Sequence, residues 1–340
     1  MDAIKMNENK KPLVSVGMPL YNAAKMLRMS KAIESLLNQN YENIEIIISD
    51  NGSTDETEAI CKEFAAQDKR IKYFRNDVNL GIVYNFNRVF ELSQGKYFMW
   101  AAHDDTRSPQ FISKCVEKLE ANPDAVLCQA YTQVTIEGNN SIMYIATFND
   151  LENKQDILDR YSLAIRILPA TALYGIMRSE AMKKTLLWQK HAAADVAFLF
   201  ELLLYGKFIQ VSEVLFTYYG REKWSTMEQE YHAFHPERKM PKIYWPFIIL
   251  MIEQIKRIIR SPLSLKIKTS LTALTVAINV KTVTLKIICR LTTFLNNEKC
   301  PEVILKYIVK EYLDNKNIRI LDEYLYDSRV RQIQLKNWTG

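Results

Sequence analysis

Tyr97-Phe98-Met99-Trp100-Ala101-Ala102-His103-Asp104-Asp105 decides the fold of this chain. Aromatic and apolar residues run unbroken to Ala102, the pattern of a central strand covered on both faces. The run ends on two adjacent carboxylates, and Ser108-Pro109 just beyond is a helix N-cap and first-turn signal. Asp104 and Asp105 are therefore expected in a strand-to-helix loop at the carboxyl end of a strand, where open α/β sheets bind ligands. Neighbouring acids repel unless a divalent cation or cationic side chains neutralise them. Hard oxygen donors suit Mg2+ or Mn2+, shared with substrate phosphates. An ordinary acidic turn is the bland account of the same residues.

The chain upstream decides between the two. Leu13 to Met18 is a short apolar strand ended by Pro19. Lys25 to Asn38 places Met26, Met29, Ile33, Leu36 and Leu37 at helical spacing. Ile44 to Ile48 is a second strand, opening into Ser49-Asp50-Asn51-Gly52-Ser53-Thr54-Asp55. Ser53 with Glu56 fits a capping box, which predicts a helix from about Thr54 to Gln67. Ile71 to Phe74 is a third strand, followed by Arg75-Asn76, a turn at Asn79-Leu80-Gly81 and a helix to Ser93. The order β-α-β-α-β-α-β predicts a parallel, doubly wound sheet with right-handed crossovers. Further on, helices are expected over Ser108–Ala121, Asp156–Ile167, Ser179–Leu187 and Asp195–Tyr205. Strands are expected over Ala125–Ile136, Leu173–Met177, Phe208–Val211 and Val214–Tyr219.

At 340 residues, with 48% hydrophobic and 25% charged, the chain has material for a sizeable core and one or two domains. Its five cysteines (Cys61, Cys115, Cys128, Cys289, Cys300) follow no metal or disulfide spacing, which suggests a reducing compartment. The polar, lysine-rich start, Met1 to Pro12, does not read as a signal peptide. The charge is uneven. Residues 242–310 hold twelve Lys/Arg against three Glu, +9 where the whole chain is +6, so the remainder carries −3. That stretch mixes Ile, Leu and Val with basic residues but is too charged to span a bilayer. It reads as a helical region that packs on the rest of the chain, on a second copy, or on an anionic membrane surface, with Lys256, Arg257 and Arg260 beside Ile255, Ile258 and Ile259. The aromatic-basic interleaving of a nucleic-acid platform is absent.

Polar groups therefore gather on consecutive strand ends: Pro19, Tyr21 and Asn22, then Asp50 with Asn51-Gly52-Ser53, then Arg75, then Asp104-Asp105. Val14-Ser15-Val16-Gly17-Met18-Pro19-Leu20-Tyr21-Asn22, then Ile46-Ile47-Ile48-Ser49-Asp50-Asn51-Gly52-Ser53-Thr54-Asp55, then Arg75-Asn76 with Asn79-Leu80-Gly81, resemble family 2 glycosyltransferases of the GT-A fold. The resemblance covers about Pro12 to Ser225.

The resemblance implies a Rossmann-like doubly wound, mostly parallel sheet over a catalytic domain at 12–235, with a mainly helical region at 241–340. It implies an inverting hexosyl- or N-acetylhexosaminyl-transferase that moves a sugar from a nucleotide-sugar, by family frequency a UDP-sugar. The acceptor would be a glycan or lipid-linked glycan of surface polysaccharide synthesis, at the inner face of the cell membrane. Pro19, Tyr21, Asn22 and Asp50 would line the nucleoside pocket, with Arg75 beside base or diphosphate. Asp104 and Asp105 match the family's acidic motif. By that match Asp104 would tend toward ribose and metal, and Asp105 would be the direct Mn2+ or Mg2+ ligand. His103 stands where many members have an acid. Asp195 matches the second acid of the pair that holds the catalytic base, the first being replaced by Ala194. From the residues alone, Asp195 reads as a helix N-cap. Arg221, in Tyr218-Tyr219-Gly220-Arg221, matches a segment that closes over the diphosphate, and Trp188 and Trp224 suit sugar stacking or core packing equally. Two other readings share these features. One is a nucleotidyltransferase, though its glycine-rich basic loop is missing. The other is a non-catalytic glycan- or membrane-binding protein that keeps the fold.

Overall fold

The computed structural model describes residues 11–24, 28–136, 142–220, 231–232, 234–235, 238–240 and 246–279. Four parallel strands form its first half: β1 (Val14–Leu20), β2 (Ile44–Asp50), β3 (Ile71–Arg75) and β4 (Tyr97–Trp100). Helices α1 (Met29–Leu37), α2 (Thr57–Gln67) and α3 (Ile82–Glu91) connect them. The short strand β5 (Thr106–Arg107), helix α4 (Phe111–Ala121) and strands β6 (Ala125–Ile136) and β7 (Ile142–Ala146) follow. Then come α5 (Asn149–Glu152), α6 (Ile157–Ile167), a 3-10 turn (Ala170–Tyr174), β8 (Ile176–Arg178), α7 (Ser179–Met182), α8 (Ala194–Leu202), β9 (Lys207–Gly220) and α9 (Pro246–Arg260). Residues 265–279 are also helical.

The strands form one sheet in the order β3-β2-β1-β4-β8-β6-β9-β5, with β7 paired to β6. It is mostly parallel; β8 runs antiparallel to β4 and β6, and β5 antiparallel to β9. The chain winds outward from β1 through β2 to β3, then returns to place β4 on the other side of β1. That reversal leaves a crevice at the carboxyl ends of β1 and β4.

β2 is buried at every position, as its near-continuous apolar run requires. Its alternate side chains feed two cores. Val14, Val16, Met18, Ile46, Ile48 and Met99 pack with residues of α1, α2 and α4 on one face. Ile47, Phe98 and Trp100 pack with α3, α6 and α8 on the other. Leu250 and Ile258 of α9 join this second core, as does Leu271.

Local expectations fail where a tertiary partner intervenes. β1 runs through Pro19 to Leu20, with Pro19 in register with Ser49. β4 stops opposite Gly17, so Pro19 stands past that ladder and its missing N–H breaks nothing there. The Ser53–Glu56 capping box does not form; α2 begins at Thr57, because Asp50 and Asn22 engage Ser53 instead. The helix expected from Ser108 begins only at Phe111, since the Ser108 amide donates to the Leu215 carbonyl at 2.9 Å and so continues the pairing of Thr106 and Arg107 with Thr217 and Phe216. The two strands expected over 208–219 are one strand, and Ser212 and Glu213 form a bulge between its pairings to β6. The expected helix over 179–187 stops at Met182, and Leu187 takes a left-handed backbone at φ 53°.

Candidate active site

The turn after β2 is built around Asp50, which is fully buried. One carboxylate oxygen accepts the Ser53 amide at 2.8 Å and the other the Tyr73 hydroxyl at 2.8 Å. The Arg75 Nε lies 3.6 Å from Asp50 and 3.0 Å from Glu58, and an Arg75 NH2 donates to the Ser53 carbonyl at 2.9 Å. Gly52 takes φ 75°, and a Cβ there would meet the Val78 carbonyl carbon at 2.8 Å, so the turn requires glycine. Asn51 crosses to the next loop, donating to Asn79 Oδ1 at 2.7 Å and accepting from the Leu80 amide at 3.0 Å.

Asn22, at φ 49°, stitches the loop after β1 to this turn. Its amide donates to Ser53 Oγ at 2.9 Å and its Oδ1 accepts the Thr54 amide at 2.8 Å. The Ala24 amide donates to Asp55 at 3.1 Å. Burial alone would raise the Asp55 carboxyl, but this bond and those from Thr57 hold it below the usual carboxylate range. Tyr21 lies beside this network, half exposed, and Pro19 is partly buried. Thus Pro19, Tyr21, Asn22, Asp50 and Arg75 share one rim.

Asp105 is fully buried in the loop between β4 and β5. Its Oδ1 accepts the Tyr219 amide at 3.0 Å, while its Oδ2 has no hydrogen-bond partner among the described residues. Burial, and next the charge of Asp104, push its carboxyl well above the ordinary range; the Tyr219 bond and the charges of Arg107 and Arg28 oppose this. Arg107 is buried by Trp100, whose carbonyl it reaches at 3.1 Å, and by Phe216, whose ring centre lies 4.7 Å away. Its own desolvation lowers its pKa to about 10. The Arg28 guanidinium stacks 3.6 Å from the centre of the Tyr219 ring.

An orphaned carboxylate oxygen beside a second acid is a donor set that fits a hard divalent cation. Among the described residues no group of three or more His, Cys, Asp and Glu side chains gathers as a metal cage. Such an ion would take its remaining ligands from phosphates and water, the usual manner of Mg2+.

Asp195 lies in the first turn of α8, partly buried. The capping position belongs to Ala193, at φ 60° and without a side-chain cap bond, so Asp195 is not the N-cap. Ala194, where the family pattern has an acid, is fully buried in the core; a carboxylate would be desolvated there. Tyr174 ties the regions together. Burial raises its phenol well above its ordinary value, and the charges of Asp105, Asp104 and Asp195 all add to the effect. Three acids from two distant stretches thus act on one hydroxyl. Its ring lies against Phe216 and Tyr218. Gly175 permits the approach, since a Cβ there would meet the Cys128 carbonyl oxygen at 2.8 Å.

Sequence reading missed Tyr174, Arg107 and Arg28. Arg107, two residues past the acids, was within its reach; Tyr174 and Arg28 meet the acids only through the sheet. Trp188 is core, stacked on Phe86 at 4.1 Å. His232 and His235 pack against Tyr231. Arg221 and Trp224 lie outside the described residues.

Known proteins resemble this chain in sequence and in fold. An uncharacterized glycosyltransferase of Haemophilus influenzae is 39% identical over 126 residues, 37% of this chain and 38% of that one. One from Rickettsia typhi is 28% identical over 207 residues, 60% of this chain and 61% of its own length. Each match therefore spans less than two thirds of the relative. The crystal structure of S. aureus TarS 1-349 in complex with UDP aligns with a TM-score of 0.56 at 15% identity, covering 77% of this chain and 70% of that one. The same TarS fragment with UDP-GlcNAc gives 0.56 at 16%, covering 77% and 71%. At such identity the likeness is one of fold. The model of glycosyl transferase family 2 matches residues 15–186, half of the chain. The chain belongs to glycosyl transferase family 2.

Proposed function

We propose that this protein is an inverting glycosyltransferase that moves a sugar from a UDP-sugar to a glycan or lipid-linked acceptor. The observation that carries the reading is the fully buried Asp105 at the carboxyl end of β4, one oxygen of which has no partner among the described residues, beside the rim formed by Asn22, Asp50 and Arg75. Tyr21 offers an exposed ring beside the Asp50 turn for the base. Asp50 is held rigidly by Ser53 and Tyr73, and each of its oxygens keeps a further lone pair for a nucleobase N–H. Asp104 and Asp105 would hold Mn2+ or Mg2+, which when bound supplies neutralisation of charge on the departing diphosphate. Arg28 and Arg107 already bring positive charge to that acid, and Arg221 would add to it.

Asp195 takes the proton from the acceptor hydroxyl as that oxygen attacks the anomeric carbon. A structural neighbour, TarS, has been crystallised with UDP and with UDP-GlcNAc, which supports a UDP donor here.

The test is a thermal-shift screen of UDP, GDP, TDP and CMP, each with and without Mn2+. A shift for UDP that needs the metal is expected. No shift with any nucleotide would favour a non-catalytic protein that keeps the fold. Asp195→Asn is expected to keep the UDP shift while transfer falls by about 10²–10⁴-fold; near-normal transfer would remove Asp195 from the chemistry.

We further propose that the basic-apolar region of 242–310 meets the inner face of the membrane. Ile248, Ile252 and Ile259 form an exposed stripe along α9, flanked by Lys256 and Arg260. No helix among the described residues is long and apolar enough to cross a membrane. Sedimentation with anionic vesicles that weakens as salt rises is expected; no sedimentation at low salt would refute the contact.

A further inference from the structure

Helix α8 is buried around its whole circumference from Val196 to Leu202, with Glu201 the one charged residue in that stretch. Such a helix needs cover on every side, and α9 supplies one side. Between the two helices lies an ion pair, Glu201 with Arg257, whose side chains are 0% and 1% exposed. Replacing a buried ion pair by apolar groups of similar volume is often neutral or stabilising. Stability alone therefore does not account for this one.

Its other bonds do. An Arg257 NH2 donates to the Leu187 carbonyl at 3.0 Å, and Glu201 Oε2 accepts the Leu186 amide at 2.9 Å. The Leu186 amide and the Leu187 carbonyl, in the segment leading into α8, are thus held by the pair, and apolar replacements would leave both unpartnered. From the opposite side, Asn87 of α3 accepts the Trp188 amide at 3.1 Å and donates to the Trp188 carbonyl at 3.0 Å. Further along, His191 Nδ1 meets the Ala192 carbonyl at 2.8 Å; a carbonyl only accepts, so Nδ1 carries the proton.

The segment needs these ties. Leu187 at φ 53° and Ala193 at φ 60° both take the left-handed region without being glycine. Residues there persist only where the surroundings over-determine them. Both lie within the eight residues before Asp195.

We infer that Arg257 is a positioning residue for Asp195: through the Leu187 carbonyl and Glu201, α9 holds the strained segment 186–193 so that α8 starts with Asp195 on the rim shared with Asp104 and Asp105. The inference rests on the reading of Asp195 as the base. It makes α9 part of the catalytic unit.

The test uses the full chain and three variants: Arg257→Met, the double variant Glu201→Met with Arg257→Met, and Asp195→Asn. Arg257→Met leaves a buried carboxylate unpaired and should melt well below wild type. The double variant removes that charge and should recover part of the melting temperature, the Leu186 amide and Leu187 carbonyl remaining unpartnered. Its amides over 186–195 should nevertheless exchange at least about 10-fold faster, those of 50–57 staying unchanged. Its UDP release from UDP-GlcNAc should fall about 10- to 100-fold in kcat with KM unchanged, because misplacement of a reacting group by an ångström has effects of that size. Unchanged exchange over 186–195, or a wild-type kcat in the double variant, overturns the inference. Wild-type turnover by Asp195→Asn would instead sink the base assignment, while the exchange data would still decide whether Arg257 holds the segment.

Discussion

Two buried carboxylates stand at opposite ends of the sheet, and the chain treats them in opposite ways. Glu45, near the amino end of β2, is 5% exposed and Asp105, beyond the carboxyl end of β4, is 0% exposed. Glu45 accepts from the Ser15 hydroxyl, from the Gln94 amide at 2.8 Å and from Lys72 Nζ at 2.6 Å. Burial alone would raise its carboxyl; these bonds outweigh it and hold it below the usual range. Asp105 accepts one backbone amide, has one oxygen without a partner among the described residues, and is pushed upward. Both carboxylates are withdrawn from water, Asp105 the more completely, yet the shifts are opposite: three donors outweigh burial at Glu45, while at Asp105 the deeper burial and the Asp104 charge outweigh a single amide. The amino end is closed on itself. The carboxyl end leaves an acceptor that no described residue fills, which is the feature the proposed donor site would use.

Removing the Asp105 charge should show the largest effect. Asp105→Asn is expected to abolish the Mn2+-dependent UDP shift and to slow transfer on the order of 10³-fold. The ligand-free protein should at the same time melt about 2–4 °C higher, because an under-satisfied buried charge is gone. Calorimetry without nucleotide checks this. A lower melting temperature would mean that Asp105 is structural, and the contrast between the two ends would collapse.

Glu45→Ala is the mirror experiment and the next in size. It strips an acceptor from Ser15, Gln94 and Lys72 together and should lower stability by about 3 kcal/mol in urea unfolding. Transfer by the folded fraction should stay at the wild-type rate. A fall in kcat at unchanged folding would show that the amino end reaches the chemistry.

These two ends were not equally legible in the sequence. The strands and their parallel order could be read from apolar runs such as Ile44 to Ile48, because a strand buried on both faces leaves that mark in its own composition. Asp50, Asp104 and Asp105 were legible as loop acids at strand ends. Other features depend on distant partners. Ser53 looked like a helix cap, yet Asp50 and Asn22 engage it across the rim. Asp195 looked like a cap, yet Ala193 occupies that position through a left-handed backbone that no residue preference announces. Tyr174 sits in a 3-10 turn whose only mark in the sequence is the glycine after it. Arg257 read as one basic residue among many on an amphipathic stretch, and only the packing of α9 on α8 separates it from exposed Lys256.

The smallest effect is the most pointed, because it tests the sign of the Glu45 shift itself. Glu45→Gln keeps the shape and an oxygen to accept from Ser15 or Gln94, but it does not titrate. The folded carboxyl lies below its unfolded value of about 4.3. Ionised Glu45 therefore contributes stability that is fully present above that unfolded value. The contribution is lost as pH falls through the lower folded value, since the unfolded chain takes up the proton first. Wild type should exceed Glu45→Gln by about 1 kcal/mol at pH 7. The gap should hold down to about pH 5 and close in stronger acid. Other titrating groups are common to both proteins and cancel in the difference. A gap that widens on acidification would mean that burial, and not the three donors, governs Glu45. Its kinship in sign would then be with Asp105, and the division of the sheet into a closed end and a receptive end would lose its physical basis.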